Sequence, residues 1–140
     1  MTLFDTNVIL DALEKDSEHF EWALNLIIET AATEGAAVNA MTLAELCAGD
    51  RDPAVVSADL QNWELQVLDI PAAAASVCGK AHRRYAISRK NSGGGGAPKI
   101  PLPDFFIGAH AEIMGWKLAT RDSERIAKYF PKVVLVTPKK

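Results

Sequence analysis

Hydrophobic positions along the chain alternate between short apolar runs and longer stretches in which they recur every third or fourth residue. Thr2 to Phe4, Ala37 to Ala40, Leu65 to Leu68, Lys117 to Ala119 and Val133 to Val136 are runs of the first kind and read as strands. Phe20, Ala23, Leu24, Ile27, Ile28 and Ala31 instead trace one buried face of a helix expected from about Ser17 to Thr33. Further helices are expected over Val8 to Leu13, Leu43 to Ala48, Pro53 to Trp63, Pro71 to Ser88, Pro103 to Met114 and Ser123 to Tyr129. Pro53 is suited to open its helix, and Gly115 to end the one before it. Strands that alternate with helices predict an α/β fold, a parallel sheet covered on both faces.

A chain of 140 residues is one domain's worth, and a domain of this size buries roughly 68 to 70% of the surface its unfolded form exposes. One domain is therefore expected over residues 1–140, interrupted by a flexible glycine-rich connector at residues 91–97, NSGGGGA. The two cysteines, Cys47 and Cys78, stand far apart among Ala and Leu and read as buried thiols of a reducing compartment. No run approaches the roughly 20 apolar residues of a membrane helix, and the N-terminus lacks the pattern of a secretory leader. A cytoplasmic location with no membrane partner is the expectation.

Four carboxylates carry the chemistry. Asp5 in LFDTNVILDAL, Glu45 in NAMTLAELCAG, Asp104 in PLPDFFIGAHA and Asp122 in LATRDSERIAKYF each stand beside an apolar segment in a different part of the chain. An α/β fold gathers such positions at the carboxyl edge of its sheet, and clustered acids usually hold a hard cation. Each also has a structural reading. Glu45 follows Thr42 at the spacing of a reciprocal capping box. Asp104 sits in a first helical turn, where the helix dipole favours any acid. Asp122 is placed to cap a helix, and Asp5 to make an Asx turn.

Their order along the chain goes further. An N-terminal strand ending in Asp5-Thr6-Asn7, then Thr42 to Glu45, then Ile100-Pro101-Leu102-Pro103-Asp104, then Thr120-Arg121-Asp122 resembles the PIN domain family, most closely the VapC ribonuclease toxins of bacterial toxin–antitoxin pairs. The resemblance runs from Thr2 to Val136, with NSGGGGA as an apparent insertion before the third acid. It implies a three-layer α/β/α sandwich around a five-stranded parallel sheet in the order 3-2-1-4-5. It implies Asp5, Glu45, Asp104 and Asp122 as catalytic acids, with Asp5, Asp104 and Asp122 as ligands of Mg²⁺ or Mn²⁺ and Asn7 and Thr120 in support. The activity implied is hydrolysis of RNA phosphodiesters by metal-activated water, and the partners implied are an RNA substrate, a VapB-like antitoxin and a second copy of the chain.

Two other classes stay in view. A phosphatase of the haloacid dehalogenase type also begins with an acid after its first strand, but it needs Asp-x-Asp where this chain has Asn7. A PIN-like module that binds RNA or protein without cutting is the alternative to a nuclease. Charge is uneven: Met1 to Gly79 holds 2 basic against 14 acidic residues, and Lys80 to Lys140 holds 13 against 4. Such asymmetry points to a polyanionic partner, or to halves that neutralise each other across the fold. Arg83, Arg84, Arg89 and Lys90 are candidates to face phosphates. His19, His82 and His110 lack ligand spacing, and Gly93 to Gly96 lacks the Lys-Ser/Thr ending of a phosphate-cradling loop.

Overall fold

A computed structural model describes residues 1–139. The short apolar runs pair as one sheet: β1 (Thr2–Phe4), β2 (Ala36–Asn39), β3 (Gln66–Leu68), β4 (Lys117–Ala119) and β5 (Leu135–Val136), in the order β3-β2-β1-β4-β5. Every neighbouring pair is parallel, with Leu3 opposite Ala37 on one side and Leu118 on the other. All side chains of β1 and β2 are buried, which is why these strands read as continuous apolar runs rather than alternating ones.

Among the described residues seven helices connect the strands: α1 (Thr6–Leu13), α2 (Phe20–Ala32), α3 (Ala40–Cys47), α4 (Pro53–Asn62), α5 (Ala74–Asn91), α6 (Pro103–Met114) and α7 (Ser123–Tyr129). Alternation along each strand splits the core in two. Leu3, Ala37 and Leu118 pack with α5, α6 and α7 residues such as Ala81, Phe105 and Ile126. Phe4, Val38 and Ala119 pack with α1 to α4 residues such as Ile9, Ile27, Leu46 and Leu60. The result is the α/β/α sandwich, with α1 to α4 on one face and α5 to α7 on the other.

Several expected boundaries move. The α1 helix begins at Thr6 rather than Val8, because Asp5 is its cap. Residues 16–19 form a turn, so α2 starts at Phe20 rather than Ser17. The α3 helix begins at Ala40 rather than Leu43, because Asn39 accepts from the N–H groups of Met41 and Thr42; the strand expected over Ala37 to Ala40 is accordingly shifted back by one residue, to Ala36–Asn39. The α5 helix starts later than Pro71 and continues through Asn91, so the glycine-rich connector begins at Ser92. Arg89 and Lys90 in its last turn suit the negative end of the helix dipole. The final strand shortens to Leu135–Val136.

Two glycines are required by geometry. Gly115 ends α6 at φ 68°, in the left-handed region. Gly108 faces Phe130 so closely that an added Cβ would lie 2.6 Å from the ring. Both cysteines are free. Among the described residues no helix is long and apolar enough to cross a membrane.

Candidate active site

The strand order reverses beside β1: the chain builds β1, β2 and β3 outward in one direction, then crosses to place β4 on β1's other edge. Ligands of such sheets collect at the carboxyl ends of the strands flanking this point. Asp5 follows β1 there and Thr120 follows β4. A cleft of about 320 Å³ opens at this edge, and Asp5, Glu45, Asp104 and Asp122 all line it, together with Asn7 and Arg125.

Asp5 is 6% exposed, and its backbone is extended as a helix cap requires. One carboxylate oxygen, Oδ1, accepts from the Thr6 N–H at 2.7 Å. The other, Oδ2, accepts from the Thr120 hydroxyl at 2.8 Å and from Asn7 Nδ2 at 3.3 Å. Burial pushes its pKa up to about 6 from an ordinary 3.8. Asp104 and Glu45 add to that rise by repulsion, while the Thr120 and Thr6 hydrogen bonds oppose it.

Thr120 also orders the opposite wall. Its hydroxyl oxygen accepts from the Asp122 N–H at 3.0 Å. Asn7 Oδ1 accepts from the Arg121 N–H at 3.1 Å, and the Arg121 guanidinium pairs with buried Asp11. The turn from β4 into α7 is thereby pinned to α1. Asp122 precedes α7 but makes no side-chain capping bond, so its carboxylate is left to the cleft.

Glu45 is not part of a capping box. Thr42 lies inside α3, whose cap is Asn39, and Glu45 Oε1 instead accepts from the Thr6 hydroxyl at 2.7 Å. Asp104 occupies the first turn of α6, behind Pro103. Burial raises its pKa above the ordinary carboxylate value; Arg125 pulls it down, and Asp122 and Glu45 push it up. Arg125 bridges two of the acids, with nitrogens 3.6 Å from Asp104 and 3.7 Å from Asp122.

The fold thus brings all four predicted acids and both predicted supporting residues to one edge. It does not draw them into a finished ion cage: among the described residues no three His, Cys, Asp or Glu side chains are grouped closely enough to hold a metal ion as they stand. The guanidinium of Arg125 instead pairs with both Asp104 and Asp122. Two contributors were missed from sequence. Thr6 lies within the quoted Asp5-Thr6-Asn7 motif, but its reach to Glu45 spans 39 positions. Arg125 carried a local signal, since it stands three residues beyond Asp122 on one helix. His110 is excluded from the cleft chemistry; it is buried on α6, where Asn39 Nδ2 donates to its Nδ1 at 3.2 Å.

Solved structures with the same fold include VapBC2 from Rickettsia felis bound to a DNA fragment from their promoter, at 20% identity and TM-score 0.67 over 97% of both chains. DNA-bound VapBC from Salmonella typhimurium matches at 22% identity and TM-score 0.65, covering 97% of this chain and 96% of the other. FitAcB from Neisseria gonorrhoeae matches at 24% identity and TM-score 0.61, covering 99% and 98%. A comparison with curated proteins finds no match. The model of the PIN domain family matches residues 2–130, a span that holds the whole acidic cleft and four of the five strands, and on that match the chain belongs to the PIN domain family.

Proposed function

We propose that the protein is a divalent-metal-dependent endoribonuclease, the toxin of a VapBC-type toxin–antitoxin pair. The observation that carries the reading is the cleft itself: four carboxylates from four separate chain segments, one of them buried and raised to a pKa of about 6, line one opening at the switch point of the sheet. Two unit charges 4 Å apart repel by about 4 kcal/mol at an effective dielectric near 20. A fold that gathers acids against that repulsion is suited to a cation. The donors are all hard oxygens, the set that Mg²⁺ and Mn²⁺ take, and magnesium needs few of them directly because it keeps several waters.

Asp5, Asp104 and Asp122 are the residues assigned to hold the ion. Bound there, Mg²⁺ or Mn²⁺ would supply Lewis-acid activation of a water and neutralise charge developing on the phosphate. The chain's own work is positioning. Thr6 and Thr120 fix both oxygens of Asp5, and Asn7 ties that carboxylate to the β4–α7 turn. Thr6 also orients Glu45 towards the cleft, where it serves as a further catalytic acid. In the reaction, water adds to phosphorus and the bond to the 3′ oxygen breaks, leaving a 5′-phosphate and a 3′-hydroxyl. The 2′-hydroxyl takes no part, so preference for RNA over DNA rests on binding.

The solved VapBC and FitAcB structures support a VapB-like antitoxin as partner, and pairing with a second copy of the chain belongs to the same reading. The test is incubation of labelled RNA with wild type and Asp5→Asn, each with Mn²⁺ and with EDTA. Cleavage by wild type alone, and only with Mn²⁺, is expected. RNA left intact by wild type, or cut equally by Asp5→Asn, would refute the assignment.

A further inference from the structure

Two more clefts continue the acidic one across the face made by α5 and α7. The first, of about 680 Å³, shares Asp122 and Arg125 with the carboxylate cleft and is also lined by Arg89, Lys128, Glu124 and the Tyr85 ring. The second, of about 430 Å³, shares Lys128 and Tyr129 with the first and adds Lys80, Arg84 and Lys132, with Glu112 as its one acid among the described residues. Beyond the shared Asp122 and Arg125, base outnumbers acid along this surface: Arg89, Lys128, Lys80, Arg84 and Lys132 stand against Glu124 and Glu112. Of the 15 Lys and Arg residues, 13 fall in the segment that builds this face.

Among the described residues none of Lys80, Arg84, Arg89, Lys128 and Lys132 lies within 4.0 Å of an acid, whereas Arg51, Lys117, Arg121 and Arg125 are all paired. Aromatic rings and neutral groups order several of them. Lys128 Nζ stands 5.3 Å from the Tyr129 ring centre and 3.2 Å from Ser88 Oγ. Arg89 lies over Tyr85 at 5.8 Å and donates to the Gly94 carbonyl at 2.7 Å, and its Nε is buried without a partner among the described residues. Arg125 packs over the same Tyr85 ring at 5.9 Å while facing Asp104 and Asp122. Cations fixed in this way lose little freedom when they meet an anion.

A polyanion has reason to need them. The carboxylate cleft repels a phosphate chain, and among the described residues Arg125 is the one cation lining it. We infer that an RNA strand whose scissile phosphate lies at the four acids runs on across the α5–α7 face, with Arg89 and Lys128 on the adjacent phosphates and Lys80, Arg84 and Lys132 beyond them. This inference rests on the nuclease reading for its point of departure, but it assigns a strand path and its contacts. The cations succeed one another across joined clefts, as a repeating phosphate backbone requires.

The test is the triple substitution Lys80→Gln, Lys128→Gln, Lys132→Gln, with the lysines restored as arginines in a rescue variant. Arg84 is left in place because its Nη2 donates to the Tyr129 carbonyl at 2.7 Å and ties α5 to α7. Binding of a labelled single-stranded RNA is measured in EDTA over a range of salt concentrations, beside the melting temperature of each variant. Each lost phosphate contact lowers the slope of log affinity against log salt by about 0.7 on single strands, so the triple variant is expected to bind at least tenfold more weakly at low salt, with a slope lower by about 2. The melting temperature should hold and the arginine variant should recover the slope. Wild-type affinity and slope in the triple variant would overturn the strand path, whether or not wild type cuts RNA with Mn²⁺. Failure of wild type to cut, with the slope change intact, would instead overturn the nuclease and keep the path.

Discussion

Replacing Asp5 by Asn removes the one acid in the cleft whose ionisation the fold resists most plainly. Its carboxyl sits at a pKa of about 6 against an ordinary 3.8. At 1.36 kcal/mol per pH unit that difference corresponds to about 3 kcal/mol. The sign follows from which state holds the proton. The folded protein retains it at a pH where the unfolded chain has released it. The associated stability is therefore complete below about pH 3.8 and is lost as pH rises through about 6. Asn cannot titrate and escapes that loss. It does forfeit an acceptor, because an amide nitrogen cannot receive the Thr120 hydroxyl that Asp5 Oδ2 now binds at 2.8 Å. That penalty is about 1–3 kcal/mol and independent of pH. Asp5→Asn is expected to be the less stable protein at about pH 4. It should gain about 3 kcal/mol relative to wild type by neutral pH, ending level or slightly ahead. Urea unfolding of both proteins in EDTA, at several pH values, measures the difference directly. A gap that stays constant with pH would show that Asp5 is not held against its ordinary ionisation, and the electrostatic account of the cleft would fail with it.

Other perturbations probe the scaffold. Gly108→Ala drives a methyl to within 2.6 Å of the fully buried Phe130 ring and should destabilise by about 1–3 kcal/mol; urea midpoints within error of wild type would mean that the ring yields freely. Asn39→Ala strips the cap from α3 and leaves the buried His110 Nδ1 without its donor, for a combined loss of about 2–4 kcal/mol in unfolding free energy. A loss below 1 kcal/mol would refute the paired role. Arg125→Gln removes the charge that holds Asp104 down, so the Asp104 carboxyl resonance should titrate at higher pH by carbon NMR. An unmoved titration would remove Arg125 from the electrostatics of the cleft.

The sheet was legible because its strands β1 and β2 are buried on both faces and so mostly apolar, and the helices because their buried faces repeat at the helical period. Element ends were less so. Asp5 and Asn39 are polar residues that begin helices by accepting backbone N–H groups, and a rule that waits for the first apolar residue starts α1 and α3 too late. Glu45 shows the same limit at the site. Its spacing from Thr42 matched a capping box, yet its partner is Thr6, a contact set by the packing of α1 against α3 rather than by local sequence. The four acids were identifiable only as an ordered set. Each taken singly has a structural reading, and neither their meeting in one cleft nor the bridge that Arg125 makes across two of them follows from any short motif. The basic clefts beside them were foreshadowed by the charge asymmetry. Arg84 and Arg89 were candidates, but Lys128 and Lys132 enter through the contact of α5 with α7.

The central claim is that these carboxylates together seat a divalent cation. Calorimetric titration of Mn²⁺ into wild type, Asp5→Asn and Asp104→Asn at neutral pH tests it without reference to any substrate. Saturable binding to wild type that weakens at least tenfold in both variants is the expected result. Equal Mn²⁺ affinity in all three proteins, or none in wild type, would contradict it.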